Sequence, residues 1–234
     1  MNCGTERWLF LDGDDTLWDS QGLYDQVKAG FERIVQKEGL DSEIAVQLLD
    51  EIDSAKVPRM GYSLERFRSS LSEAYLALCV RAGRTPNPRT TGQLRRLLER
   101  IFKRKPPVLP GARGALTRLR RRFRLLLVTK GEVRRQTQLV SDLGLEKYFD
   151  RVVIVDGTHA KDYSGVISDL GVGPSDVWVI GNSPRSDINP ALKLGLKCIW
   201  FAGRSWLFEE EAVSATVPVA RSWKDVEELL AEET

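Results

Sequence analysis

Five short, unbroken apolar runs constrain the fold of this chain: WLFL at residues 8–11, LLLV at 125–128, VVIV at 152–155, VWVI at 177–180 and CIWF at 198–201. Runs of this length with no polar alternation read as strands covered on both faces, the situation of a parallel sheet. After Leu125 they alternate with helical segments at a spacing of about 25 residues, the rhythm of βαβ units. The helices include residues 132–143, stopped by Gly144, and residues 189–194, stopped by Gly195, since glycine is the usual helix C-terminal stop. A last helix starts at Ser222, with Asp225 three residues on as an approximate capping box.

Residues 20–105 follow another rule. Val27, Phe31, Ile34 and Val35 recur at helical spacing, as do Ile44, Leu48, Leu49 and Ile52. Phe67, Leu71, Tyr75 and Leu78 continue the pattern, then Leu94, Leu97, Leu98 and Ile101. Breakers fall at Gly39, at Val57 and Pro58, and at the PNP of residues 86–88. The pattern predicts about four amphipathic helices with no strand among them. PPVLPG at 106–111 marks the return to α/β pattern. The expected organisation is a Rossmann-like α/β core of residues 1–18 and 106–234, with residues 19–105 inserted as a helical unit.

With 234 residues, the chain can bury a core without disulfides or structural metal. Its three cysteines, Cys3, Cys79 and Cys198, are far apart and form no CxxC pair, which argues against a disulfide framework and a zinc site. The opening MNCGTERW is polar, and no apolar run approaches the roughly 20 residues of a membrane helix. The expectation is a cytoplasmic protein with no membrane partner. The net charge of +2 hides an asymmetry: residues 81–124 hold fifteen Lys or Arg against Glu99 alone, whereas residues 205–234 hold eight acids against Arg221 and Lys224. RLRRRFR at 118–124 reads as a solvated face at a helix end, where cations are favoured. Residues 95–105 could present some charge to an anionic substrate. Nucleic-acid binding is not expected, because only Phe102 and Phe123 are interleaved for stacking.

In open α/β sheets ligands bind beyond the carboxyl ends of the strands. The first run is followed by Asp12, Gly13, Asp14, Asp15 and Thr16; the second by Thr129, Lys130 and Gly131; the fourth by GNSPRSD, residues 181–187. Lys161 lies between the third and fourth. Clustered carboxylates repel one another, so a cation belongs with them. In this order the segments resemble the four motifs of the haloacid dehalogenase-like (HAD) hydrolase superfamily. DGDDT is similar to its DxDxT motif, VTKG to its strand-ending Ser/Thr motif, Lys161 to its lysine and GNSPRSD to GDxxxxD. The helical insertion resembles its C1-type cap.

The resemblance implies Mg²⁺-dependent hydrolysis of a small phosphorylated metabolite, with the cap closing over the substrate. Asp12 would be the nucleophile that forms an aspartyl-phosphate. Asp14 would be the general acid/base, its carbonyl also a metal ligand. Thr129, Lys130 and Lys161 would contact the phosphoryl group. Asp12, Asp14, Asn182 and Asp187 would hold Mg²⁺. Asn182 departs from the family aspartate, keeping an amide oxygen but no charge, and AKDYSG lacks the proline that often follows the lysine. Asp14 favours phosphatase chemistry over dehalogenation, because a halide leaving group needs no proton. A phosphotransferase or mutase, a dehalogenase, and a non-catalytic binding protein are the alternatives. Asp15 and Trp18 are expected to be structural, Ser183 to serve local backbone groups, and His159 to lie in a turn or on the surface. Oligomeric state is not readable from the sequence.

Overall fold

The computed structural model describes residues 6–155, 159–204 and 206–232, and the side chains of all of these except 159–162. The chain forms two compact units, Met1–Asp19 with Pro107–Thr234, and Ser20–Pro106.

The first unit is built on six parallel strands: β1 (Trp8–Leu11), β2 (Arg124–Lys130), β3 (Arg151–Val155), β4 (Val177–Gly181), β5 (Lys197–Phe201) and β6 (Val219–Ala220), in the order β3-β2-β1-β4-β5-β6. The fold is α/β and Rossmann-like. Strand pleat explains why the apolar runs had to be continuous. Leu9, Leu11, Leu125, Leu127 and Ile180 enter one core layer, whereas Phe10, Leu126, Val128, Val177 and Val179 enter the other. Helices α5 (Ala112–Leu119) and α9 (Trp223–Glu232) cover the first layer, and α7 (His159–Leu170) and α8 (Asn189–Lys193) the second. Helix α6 (Val133–Asp142) adds Val140 to the first layer. Ser222 and Asp225 cap α9 reciprocally: the Ser222 Oγ accepts from Asp225 N at 3.2 Å, and Asp225 Oδ2 accepts from Ser222 N at 3.0 Å. Gly144 and Gly195 end α6 and α8 with φ of +61° and +72°. β6 was not expected from the sequence; two residues are too few to show a pattern.

The second unit consists of α1 (Gln21–Lys37), α2 (Ala45–Met60), α3 (Leu64–Arg81) and α4 (Pro88–Phe102) around one apolar cluster. Pro58 does not separate helices. It sits in the last turn of α2, where only two helical residues follow, and Gly61 at φ +61° makes the break instead. Pro88 starts α4, with Asn87 Oδ1 accepting from Arg89 N as its cap. Deep in this unit, Arg66 donates from Nε and Nη2 to the two oxygens of Asp53 at 2.9 and 3.0 Å, and Ser70 Oγ donates to Asp53 at 2.8 Å. Among the described residues no helix is long and apolar enough to cross a membrane.

Candidate active site

The sheet order reverses between β1 and β4, and in such sheets the switch point is where ligands sit. The turn after β1 is fastened there by Asp12 N donating to Ile180 O at 2.9 Å. The chain then folds back sharply. Leu17 N reaches Gly13 O at 2.8 Å, and Asp15 N reaches Trp18 O at 2.7 Å, with Asp15 at φ +60°. Aspartate is one of the few residues that tolerates this left-handed conformation. Gly13 is required for another reason: a Cβ there would lie 2.3 Å from Cη2 of the fully buried Trp18. The indole therefore packs directly under the turn, and its Nε1 donates to Asp14 Oδ1 at 3.0 Å.

Asp12 is 3% exposed. Burial holds its carboxyl well above the usual carboxylate range, and the charges of Asp187 and Asp14 push it further in the same direction. The Lys130 ammonium and a hydrogen bond with Thr16 oppose the rise.

Beyond β4, Gly181 makes room for a carboxylate, since a Cβ there would stand 2.4 Å from Asp187 Oδ2. The Ser183 N–H donates to that oxygen at 3.0 Å, and the Ser183 hydroxyl accepts from Ser186 N at 2.9 Å, capping a π-helical turn at Pro184–Ile188. Asn182 is turned by two contacts. Its Nδ2 donates to Arg204 O at 3.0 Å, leaving Oδ1 facing the Thr16 hydroxyl at 3.4 Å.

Beyond β2, Thr129 Oγ1 donates to Asp14 Oδ2 at 3.3 Å. Lys130 Nζ donates to Ser186 Oγ at 2.7 Å and pairs with Glu209 Oε1 at 3.0 Å, and Glu209 also accepts from the hydroxyls of Ser183 and Ser186. Gln136 Nε2 donates to Asp14 Oδ2 at 2.9 Å and to Lys130 O at 2.7 Å.

One strand edge thus gathers Asp12, Asp14, Thr129, Lys130, Asn182 and Asp187. The Lys161 and His159 side chains lie outside the described residues. Three contributors were not singled out from the sequence for contact with the site: Gln136, Glu209 and the Trp18 indole N–H. Gln136 had a readable signal, because with Val140 and Leu143 it occupies the i, i+4, i+7 stripe that faces the core. Glu209 had none; it stands in an acidic segment about 80 residues from Lys130.

Among the described residues no group of three or more Asp, Glu, His or Cys side chains gathers to hold a metal. The donors at hand are all oxygen: the Asp12 and Asp187 carboxylates and the Asn182 amide. A hard cation such as Mg²⁺ takes one or two carboxylates and keeps several waters, so this chemistry fits it. A buried, mutually repelling set of carboxylates is also the environment a divalent cation relieves.

The family model of haloacid dehalogenase-like hydrolases matches residues 7–195. The chain belongs to this family. A glyceraldehyde 3-phosphate phosphatase from Pyrococcus abyssi is 27% identical over 205 residues, covering 82% of this chain and 80% of its own. Haloacetate dehalogenase H-2 from a Moraxella species is 27% identical over 136 residues, covering 55% of this chain and 59% of its own. The crystal structure of a haloacid dehalogenase-like family hydrolase from Xanthomonas campestris superposes with a TM-score of 0.79 at 24% identity, covering all of this chain and 95% of that one. The HAD-like turn, strand-end and loop motifs therefore sit on the fold that this family shares.

Proposed function

We propose that this HAD-family hydrolase is a phosphatase that cleaves the phosphomonoester of a small metabolite through an aspartyl-phosphate on Asp12, with Mg²⁺ as cofactor. The observation that carries the reading is the pair Asp12 and Asp14 on one glycine-containing turn, with the Thr129 hydroxyl 3.3 Å from Asp14 Oδ2. The phosphatase names of relatives such as the Pyrococcus abyssi enzyme support the substrate class.

An Asp12 carboxylate oxygen attacks phosphorus, forming the new P–O bond as the ester P–O bond breaks. Asp14 gives its proton to the departing alcohol oxygen. Asp14 then takes a proton from water as that water attacks phosphorus, and the Asp12 carboxylate leaves with its original charge. Thr129 exchanges its bond to Asp14 for one to a phosphoryl oxygen, and Lys161 stabilises charge on the transferring group. Asp12, Asp187, Asn182 Oδ1 and the Asp14 carbonyl would hold Mg²⁺. When bound, it supplies charge neutralisation between carboxylate and phosphate dianion. The Moraxella relative raises dehalogenation as a second reading. It gives Asp14 no leaving group to protonate in the first step, because a halide departs unprotonated.

The test is hydrolysis of p-nitrophenyl phosphate with Mg²⁺ and with chelator, for wild type and Asp12→Asn. Turnover that needs Mg²⁺ and is lost in the variant is expected. Equal activity in Asp12→Asn sinks the mechanism, and turnover of haloacetate in place of phosphate esters sinks the substrate class.

A further inference from the structure

Asp14 lies at the end of a side-chain arrangement that the reaction chemistry does not by itself require. Its Oδ1 accepts from the Trp18 indole at 3.0 Å, and its Oδ2 accepts from Gln136 at 2.9 Å and from Thr129 at 3.3 Å. Gln136 is 8% exposed and uses its amide nitrogen on two acceptors, the Asp14 carboxylate and the Lys130 carbonyl. Both partners are oxygen acceptors, so the amide cannot be flipped without setting oxygen against oxygen twice. The remaining atom, Gln136 Oε1, is buried with no hydrogen-bond partner among the described residues. Burying a glutamine with one polar atom unsatisfied carries a free-energy cost. A leucine or methionine on this core-facing stripe would avoid that cost and pack against Val140. A role in packing alone therefore does not account for glutamine.

We infer that Gln136 is a positioning residue for Asp14: with Trp18 it fixes the plane of the Asp14 carboxylate, and through the Lys130 carbonyl it references that plane to the end of β2, where Thr129 stands. This rests on the phosphatase reading above for its consequence, but not for its geometry. Two donors on opposite oxygens define the carboxylate plane, whereas one would leave it free to rotate about χ2. When Thr129 turns to a phosphoryl oxygen, Gln136 and Trp18 keep Asp14 in place. Proton transfer then starts from a held geometry instead of a searched one.

The consequence is a dependence on the leaving group. Phenyl phosphate releases a strongly basic oxygen that must be protonated as it leaves; 2,4-dinitrophenyl phosphate releases one that need not be. The kcat/KM of each reports only the steps through formation of the phosphoenzyme. Gln136→Leu removes the amide donor on Asp14 Oδ2 and leaves only the Trp18 indole on the opposite oxygen, and Gln136→Glu keeps the shape while facing carboxylate oxygens to Asp14. Both should lose about tenfold or more in kcat/KM on phenyl phosphate, mostly in kcat, while staying within about twofold of wild type on 2,4-dinitrophenyl phosphate. Equal losses on the two esters, or no loss on either, overturn the inference.

A second readout does not need turnover. In protein labelled with ¹⁵N-tryptophan, the Trp18 indole peak, assigned with Trp18→Phe, should move in Gln136→Leu while the other five indole peaks stay in place. A stationary Trp18 peak overturns the positioning role. If wild type hydrolyses neither ester, the phosphatase reading fails by itself and the indole peak alone decides the inference.

Discussion

Asn182→Asp restores the aspartate that the family motif carries, and the structure predicts that it separates stability from metal affinity. In the wild type, Asn182 Nδ2 donates to Arg204 O at 3.0 Å, and position 182 is 9% exposed. Aspartate places a carboxylate oxygen against that carbonyl, so one hydrogen bond becomes a repulsive contact and a buried acceptor loses its donor, about 1–3 kcal/mol. It also adds a negative charge beside a group, Asp12, already destabilised as an anion by burial and by Asp187 and Asp14. With an effective dielectric of about 20, a like charge a few ångströms away adds roughly 3 kcal/mol. Side-chain rotation and partial protonation reduce the sum, leaving a net cost of about 2–4 kcal/mol without metal. For a chain of this size that is about 5–10 °C in thermal midpoint.

Mg²⁺ reverses the sign of the charge term. If position 182 ligates the metal as proposed, the added carboxylate would replace a neutral ligand, and binding should tighten by about tenfold or more, about 1.4 kcal/mol. Since ligand stabilises by RT ln(1 + [L]/Kd), the midpoint shift on adding Mg²⁺ should be larger in the variant than in wild type. Differential scanning calorimetry in chelator and in a Mg²⁺ series, with calorimetric titration of the metal, reads both quantities. A variant as stable as wild type in chelator would show that the Arg204 contact and the carboxylate repulsion have been overvalued. An unchanged Mg²⁺ affinity would remove position 182 from the metal site.

Two further outcomes follow from contacts away from the reacting atoms. Asp53→Ala leaves the buried Arg66 guanidinium without its bidentate partner and should cost about 3–5 kcal/mol, whereas Asp53→Leu with Arg66→Leu should cost much less; urea unfolding separates the two, and equal losses would refute the ion-pair reasoning. The Asp225 carboxyl is held below its usual range, first by the Arg221 N–H and then by the Ser222 hydroxyl. A folded-state value below the unfolded one gives stability that is present above about pH 4 and is lost as pH falls through the folded value. The stability gap between wild type and Asp225→Asn, measured by denaturant titration, should therefore shrink on acidification, and a constant gap would refute the assignment.

What the sequence displayed and what it concealed divide along the range of the interaction. The five long strands were legible because a parallel strand covered on both faces is apolar along its middle, so its signature is local. The residues gathered at the switch point, Asp12, Asp14, Thr129, Lys130, Asn182 and Asp187, could be named in advance because each lies at the end of such a run or on the turn or loop that follows it. Pro58 misled because proline's missing N–H is costly only where the helix continues, and two residues from the end of α2 it hardly does. Glu209 was concealed for a different reason. Its partners Lys130, Ser183 and Ser186 follow two different strands, so only the closed sheet brings them to one carboxylate.

Gln136 lies between these cases, and the difference bears on how Asp14 should be regarded. Its place on the core-facing stripe of α6 was local information; what it holds was not. A polar residue on an apolar stripe states that a buried group needs a partner, and only the fold identifies the group. Here that group is the carboxylate two residues after Asp12, gripped on both oxygens by side chains from the first-strand turn and from α6. On the proposed reading, the side-chain donors Trp18, Gln136 and Thr129 restrict the direction in which the Asp14 proton can travel, and that restriction would separate a positioned acid from an acidic turn.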